Sequence, residues 1–195
     1  MNKILYVIDN ANDVEKTNYE YNIDEDTIIY HFSIDCSSKV NINLVKENVT
    51  LYYYYNNINY SDNTFEITIN HLCNNTHSEL FNHGVNVYDN KLTYVVNGVV
   101  LKDSYKCICN QDNQIINMID GKSTICPNLL IDNYDVDSNH SAYIGKFRDD
   151  EIFYLMSRGI SREVGYRLLL NGFLINSDSI DKNKIELFID EIKKI

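Results

Sequence analysis

From Ile4 to Ile131 the chain is cut into strand-length runs that never settle into a helical period, and this limits what it can fold into. The runs are Ile4 to Ile8, Thr27 to Ile34, Val40 to Leu44, Val49 to Tyr55, Phe65 to Ile69, Val85 to Val87, Leu92 to Val95, Val99 to Leu101, Gln114 to Ile119 and Leu129 to Ile131. Turn signals fall between them: Asn10-Ala-Asn-Asp, Asn56-Asn, Asn74-Asn, Asn97-Gly and Asp120-Gly. Short strands at intervals of about 8 to 12 residues suit a sandwich, a barrel or a solenoid, and periodicity does not choose among the three. No fixed-length repeat emerges, so a solenoid here has irregular coils.

After Gly145 the period changes. Asp149, Asp150 and Glu151 open a segment that closes on Arg158 and Gly159, an order that matches the helix dipole and a left-handed C-terminal cap. Ser161 is placed as the N-cap of a second helix, with Val164, Leu168 and Leu169 along one face and Gly172 at its end. Ile185, Phe188, Ile189 and Ile192 have the spacing of a last amphipathic helix. The reading is therefore mainly β, with residues 1–145 forming the β unit and residues 146–195 a small C-terminal helical domain.

The formal charge of -11, from 17 Lys and Arg against 28 Asp and Glu, excludes nucleic acid as the main partner, because phosphate neutralisation needs clustered cations. A cationic protein surface is the better match. No apolar run approaches the roughly 20 residues of a membrane span, and the first residues reach Asp9 too early for a secretory signal. The expected location is cytoplasmic, with no membrane partner. Five cysteines without a C-x-x-C pair indicate neither a closed disulfide set nor a zinc site.

The C-terminal third carries a specific resemblance. His140-Ser-Ala-Tyr-Ile-Gly145, then Ile152-Phe-Tyr-Leu-Met-Ser-Arg-Gly-Ile160 and Ser161-Arg-Glu-Val-Gly-Tyr-Arg-Leu-Leu-Leu-Asn-Gly-Phe173, closely resemble the ending of the SufB/SufD family, SufD-like members in particular. His71-Leu-Cys-Asn-Asn-Thr-His-Ser78 and Pro127-Asn-Leu-Leu-Ile-Asp132 are similar to its His-x4-Thr-x-Ser and Pro-x-Leu-x-Ile patterns. The likeness covers about residues 65 to 175. It implies a right-handed parallel β-helix with a C-terminal helical domain, shortened relative to the family. It also implies work as a scaffold in iron-sulfur cluster assembly by the SUF system, beside a SufC-type ABC ATPase and a SufB-like subunit or a second copy of the chain. No P-loop is present, since Gly121-Lys-Ser-Thr lacks the upstream glycine; ATP hydrolysis is left to SufC and the chain is read as no enzyme.

The resemblance implies His140 as the cluster-assembly ligand, an imidazole able to hold iron. Cys126 is the weaker candidate, because Ser123 lies nearer the family's cysteine position and Cys126 substitutes only through a change of register. Asn139 and Ser138 stand where relatives carry an acid or a cysteine. A transient iron-sulfur cluster is the implied cofactor; the role of a flavin and the cluster type stay open. Asp149, Asp150, Phe153, Tyr154, Arg158 and Ile160 are the implied ATPase-binding residues, with Phe153 also expected to pack in the small helical core. Cys107 and Cys109 share one face of a strand and point either into the core or at a partner. His71, Cys73 and His77 form either a metal or catalytic cluster or ordinary strand and turn. Two other functions compete: an architectural adaptor that binds no metal, and a hydrolase or transferase on the same solenoid, for which no catalytic constellation is found.

Overall fold

The computed structural model describes residues 2–11, 18–175 and 180–195. Eleven strands are found among them: β1 (Lys3–Asn10), β2 (Asn18–Ile23), β3 (Thr27–Ile34), β4 (Ser38–Leu44), β5 (Thr50–Asn59), β6 (Asn63–His71), β7 (His77–Asn86), β8 (Leu92–Val100), β9 (Cys107–Asn117), β10 (Thr124–Ile131) and β11 (Val136–Gly145). Odd strands form one parallel sheet in the order β1-β3-β5-β7-β9-β11, and even strands form the other, β10-β8-β6-β4-β2. The chain winds between two parallel sheets, alternating from one to the other. That is a β-solenoid of about five turns.

Alternation writes the interior. β8 reads Leu-Thr-Tyr-Val-Val-Asn-Gly-Val-Val, with Leu92, Tyr94, Val96 and Val100 buried and the intervening residues partly covered. Across the coils Ile29, Tyr53, Leu80, Gln111 and His140 stand in one inward row of the odd sheet. Thr27, Leu51, Ser78, Cys109 and Ser138 stand in the next. The coil from Thr27 to Leu51 takes 24 residues and that from Ser78 to Cys109 takes 31, which is why no fixed repeat shows in the sequence. One corner recurs all the same: Asn48, Asn75 and Lys106 each turn with positive φ just before a strand of the odd sheet, a conformation asparagine tolerates and lysine rarely adopts.

Two of the expected turns are not turns. Asn97-Gly98 lies inside β8 and Asn56-Asn57 inside β5. Parallel coils stack like residues in register, so an outward amide bonds to the next coil instead of capping a turn: Asn97 Nδ2 donates to Thr68 Oγ1 at 3.1 Å, and Asn128 Nδ2 donates to Asn97 Oδ1 at 2.9 Å. Gly98 leaves room for the side chain of Cys109, whose sulfur would stand 2.4 Å from an added Cβ. The second half of the Asn10-Ala-Asn-Asp turn lies outside the described residues, and Asn10 itself is the last residue of β1.

The C-terminal segment supplies α1 (Asp149–Ser157), α2 (Arg162–Leu174), a 3-10 turn at Lys182–Ile185 and α3 (Glu186–Ile192). Ser161 caps α2 by accepting from Val164 N at 3.4 Å, and Gly159 takes φ +82° at the end of α1. Gly172 does not end α2, which runs on to Leu174. Leu170, Leu174, Phe188 and Ile192 bury against Phe32, Ile58 and Val85 on the outer face of the odd sheet. Beside them the rings of Tyr6, Tyr30, Tyr54 and Phe81 stack along one outward row, with centroids 5.0 to 5.3 Å apart. No described helix is long and apolar enough to cross a membrane.

Candidate functional site

β11 and β10 are the last strands of their sheets, and β11 carries His140. Its partner in β9 is Gln111, whose side chain is inward and nearly buried, so the register puts His140 on the inward side of the sheet. No coil follows to cover it, and residues 139–144 are exposed. An edge strand of a parallel sheet presents one row of unpaired backbone groups, which makes it a template for another chain. The facing strand β10 sets Ile125, Pro127, Leu129 and Ile131 on its own inward side, half-buried at the same open end.

Cys126 is exposed but pairs with Val95 on the outward side of the even sheet. The structure therefore does not bring Cys126 and His140 to one face. Cys107 and Cys109 are buried in the interior; burial pushes the Cys109 thiol up to about 11, so it is protonated at neutral pH and serves as packing. His71, Cys73 and His77 do not converge. His71 lies inside, where its ring nitrogens bond to the hydroxyls of Thr76 at 2.8 Å and Ser78 at 2.9 Å, and burial pushes the imidazole down to about 4. His77 lies on the outer side against Glu79 at 2.6 Å. Among the described residues no group of three or more His, Cys, Asp or Glu is arranged to hold a metal ion.

The helical residues stand beside this edge. Asp149, Asp150 and Glu151 open α1 fully in solvent, with Asp150 held by Arg148. Phe153 is 71% exposed and Tyr154 59%, and the guanidinium of Arg158 lies 5.3 Å over the Tyr154 ring; Ile160 is half-buried. The expected core role of Phe153 is thus overturned: Ile152 is the residue of α1 that buries, and Phe153, a quarter turn or more round the helix, is left in solvent. The same correction applies to α2, where Gly165, Leu170 and Leu174 are buried while Val164 and Leu168 face solvent. With Met156 these are exposed apolar side chains on the α1–α2 hairpin, and spacing could not show that they would be left uncovered.

Comparison with known proteins agrees with the geometry. Residues 38–173 match the family model described as SUF system FeS cluster assembly, SufBD core domain. The chain is 32% identical over 97 residues to the iron-sulfur cluster assembly protein SufD of Bacillus subtilis, covering 42% of this chain and 22% of the relative. It is 29% identical over 112 residues to SufB of the same organism, covering 53% and 23%. A SufBD family protein of Pyrococcus horikoshii matches at 43% over 61 residues, 31% of this chain and 13% of that one. The chain thus spans less than a quarter of the length of these relatives. A parallel solenoid closed by a helical hairpin, with the matched region running through both, places this chain in the SufB/SufD core family of the SUF system.

Proposed function

We propose that the chain is a scaffold subunit of iron-sulfur cluster assembly that docks a SufC-type ABC ATPase through the α1–α2 hairpin. It pairs along the β10/β11 edge with a SufB-like subunit or a second copy of itself. The observation that carries this reading is the exposed apolar face of Phe153, Tyr154, Met156, Val164 and Leu168, rimmed by Asp149, Asp150 and Glu151 and set beside the edge that bears His140. Such a face, large and apolar with a charged border, suits a protein partner with a cationic rim. His140 then offers an imidazole to iron at the seam, and the thiolates come from the paired subunit, since Cys126 faces away from His140. ATP is hydrolysed by SufC. The cysteines are free, in keeping with a cytoplasmic setting.

That outward Cys126 favours one second reading, an architectural adaptor that holds the ATPase and binds no metal. Anaerobic co-purification with the ATPase followed by iron and sulfide analysis separates the two. The scaffold retains iron and sulfide, and loses most of both in His140→Ala without losing the ATPase; the adaptor retains the ATPase alone. Reversing Asp149 and Asp150 to lysine is expected to weaken ATPase capture at low salt and to flatten its salt dependence, with the melting temperature unchanged because exposed acids contribute little to stability. Capture equal to wild type at low salt would move the docking face elsewhere.

A further inference from the structure

One polar contact joins the helical hairpin to the strands beneath it. His83 of β7 is nearly buried on the outer face of the odd sheet, its ring stacked on Phe173 of α2 with centroids 4.7 Å apart and planes 14° from parallel. Its Nδ1 lies 3.0 Å from the carbonyl oxygen of Phe173, in the last turn of α2. A carbonyl only accepts, so Nδ1 carries the proton of that bond. Its Nε2 is buried without a hydrogen-bond partner and lies 3.7 Å from Asp112 Oδ2. Asp112 of β9 in turn accepts from Ser141 Oγ of β11, the residue after His140, and from Gln114 Nε2 at 2.9 Å. Helix α2, strand β7, strand β9 and edge strand β11 are linked through two side chains.

We propose that His83 and Asp112 form a proton-dependent clasp that sets the position of the α1–α2 hairpin against the β11 edge. The inference rests on the reading of the hairpin as docking element and names what ties it to the edge. With Nδ1 committed to Phe173, Nε2 is bare in the neutral ring and faces a carboxylate with no proton between them. A second proton turns both ends into donors: one to the C-terminal carbonyls of α2, where the helix dipole favours a cation, and one to Asp112. Losing that proton leaves a lone pair against a carboxylate, and the clasp holds only by stacking and the Nδ1–H bond to the Phe173 carbonyl.

Among the described residues, Asp112 is the charged side chain that lies against the His83 ring. Asn56 and Gln114 flank His83 in its row as neutral amides, and α2 presents the Phe173 carbonyl and ring. Beside Asp112, Gln114 and Phe173 a cavity of about 420 Å³ is also lined by Lys146, Arg148 and Glu151. Lys146 there pairs with Asp120, and Arg148 with Asp150. His83 beside it, with the Ser141 and Gln114 donors, outweighs the burial of Asp112 and holds its carboxyl down at about 2. Asp112 is therefore charged at mildly acidic and at neutral pH.

The test is amide hydrogen exchange by mass spectrometry on the purified chain across about pH 5 to 8, corrected for intrinsic rates, in wild type, Asp112→Asn and His83→Phe. Peptides from α2 and β11 of wild type are expected to lose protection about fivefold as pH rises, the scale of one charge at a helix terminus. Asp112→Asn keeps the shape and Ser141's acceptor but removes the charge, and His83→Phe keeps the stacking but removes both nitrogens. In His83→Phe the α2 and β11 profiles become flat; in Asp112→Asn the β11 profile becomes flat and the α2 slope falls without vanishing, because the ring still faces the end of the helix, while peptides of β3 and β5 behave as in wild type in both. A flat wild-type profile, or a wild-type slope that persists in Asp112→Asn and His83→Phe, overturns the proposal. The assay contains no ATPase, so a failed pull-down of SufC leaves its outcome standing and the reverse also holds.

Discussion

Asp9→Ala is expected to destabilise the chain by about 3–5 kcal/mol, the sum expected when a buried carboxylate that accepts several hydrogen bonds is removed and its buried donors are left unpaired. Asp9 sits at the end of β1 with its side chain inside the first coil. Its Oδ2 accepts from His31 Nε2 of β3 at 2.7 Å and from Ser38 Oγ of β4 at 2.6 Å, and its Oδ1 accepts from the Tyr19 hydroxyl of β2. His31 Nδ1 continues the chain to the Tyr53 hydroxyl of β5 at 2.6 Å. Five strands meet in one network, closing the first coil where apolar packing is thin: Leu5, Val7, Tyr19 and Tyr21 are only partly buried. Truncating Asp9 leaves the Ser38 hydroxyl and the His31 ring without this acceptor, and each buried orphan costs about 1–3 kcal/mol.

The same network gives a pH dependence with a definite sign. Burial raises the Asp9 carboxyl, but the His31, Ser38 and Tyr19 donors outweigh it and hold it below its usual 3.8. A carboxyl lowered on folding contributes stability that is fully present above the unfolded value and lost as pH falls through the folded one. Urea midpoints are therefore expected to fall below about pH 4 in wild type, and to fall less in Asp9→Asn, which begins from a lower plateau. An Asp9→Ala chain as stable as wild type at neutral pH would mean that the first coil is held by packing alone.

How much of this was legible depends on which contacts are local. Thr27 to Ile34 was read with its final bounds because β-branched residues, Tyr30 and Phe32 make up most of it. β11 was not read as a strand: Asp137, Ser138, Asn139, His140 and Ser141 are polar on both faces, as a strand covered by no further coil can be. β2 was missed as well, as an edge of the even sheet with Asn18, Glu20 and Asn22 on its outer side. The Asp9–His31 pair joins residues 22 positions apart and left no trace in periodicity, and neither did the His83–Phe173 contact across 90. The family motif did survive in the sequence, since it is a run of residue types and not a geometry. It pointed to His140 and the hairpin, but it could not tell which side of β10 would carry Cys126.

Phe188→Ala and Phe153→Ala should therefore behave in opposite ways, although both are phenylalanines on C-terminal helices. Phe188 of α3 is fully buried, 4.9 Å from the ring of Phe32 on the odd sheet, within the cluster that holds Leu170, Leu174, Ile185 and Ile192. Truncating it removes both the transferred apolar surface and the packing around it, a loss of about 3–5 kcal/mol for a core phenylalanine. Leu170 and Leu174 of α2 lean on the same cluster, so the helical segment should loosen from the sheet as a unit and show raised exchange from residue 162 onward. Phe153 is mostly in water, so its truncation should leave the thermal midpoint within experimental error while reducing ATPase capture, as expected of an interface anchor lost from an otherwise intact fold. Melts and pull-downs run side by side decide the matter. If Phe153→Ala melts as low as Phe188→Ala, that ring belongs to the core after all, and the apolar face on α1 is not a docking surface.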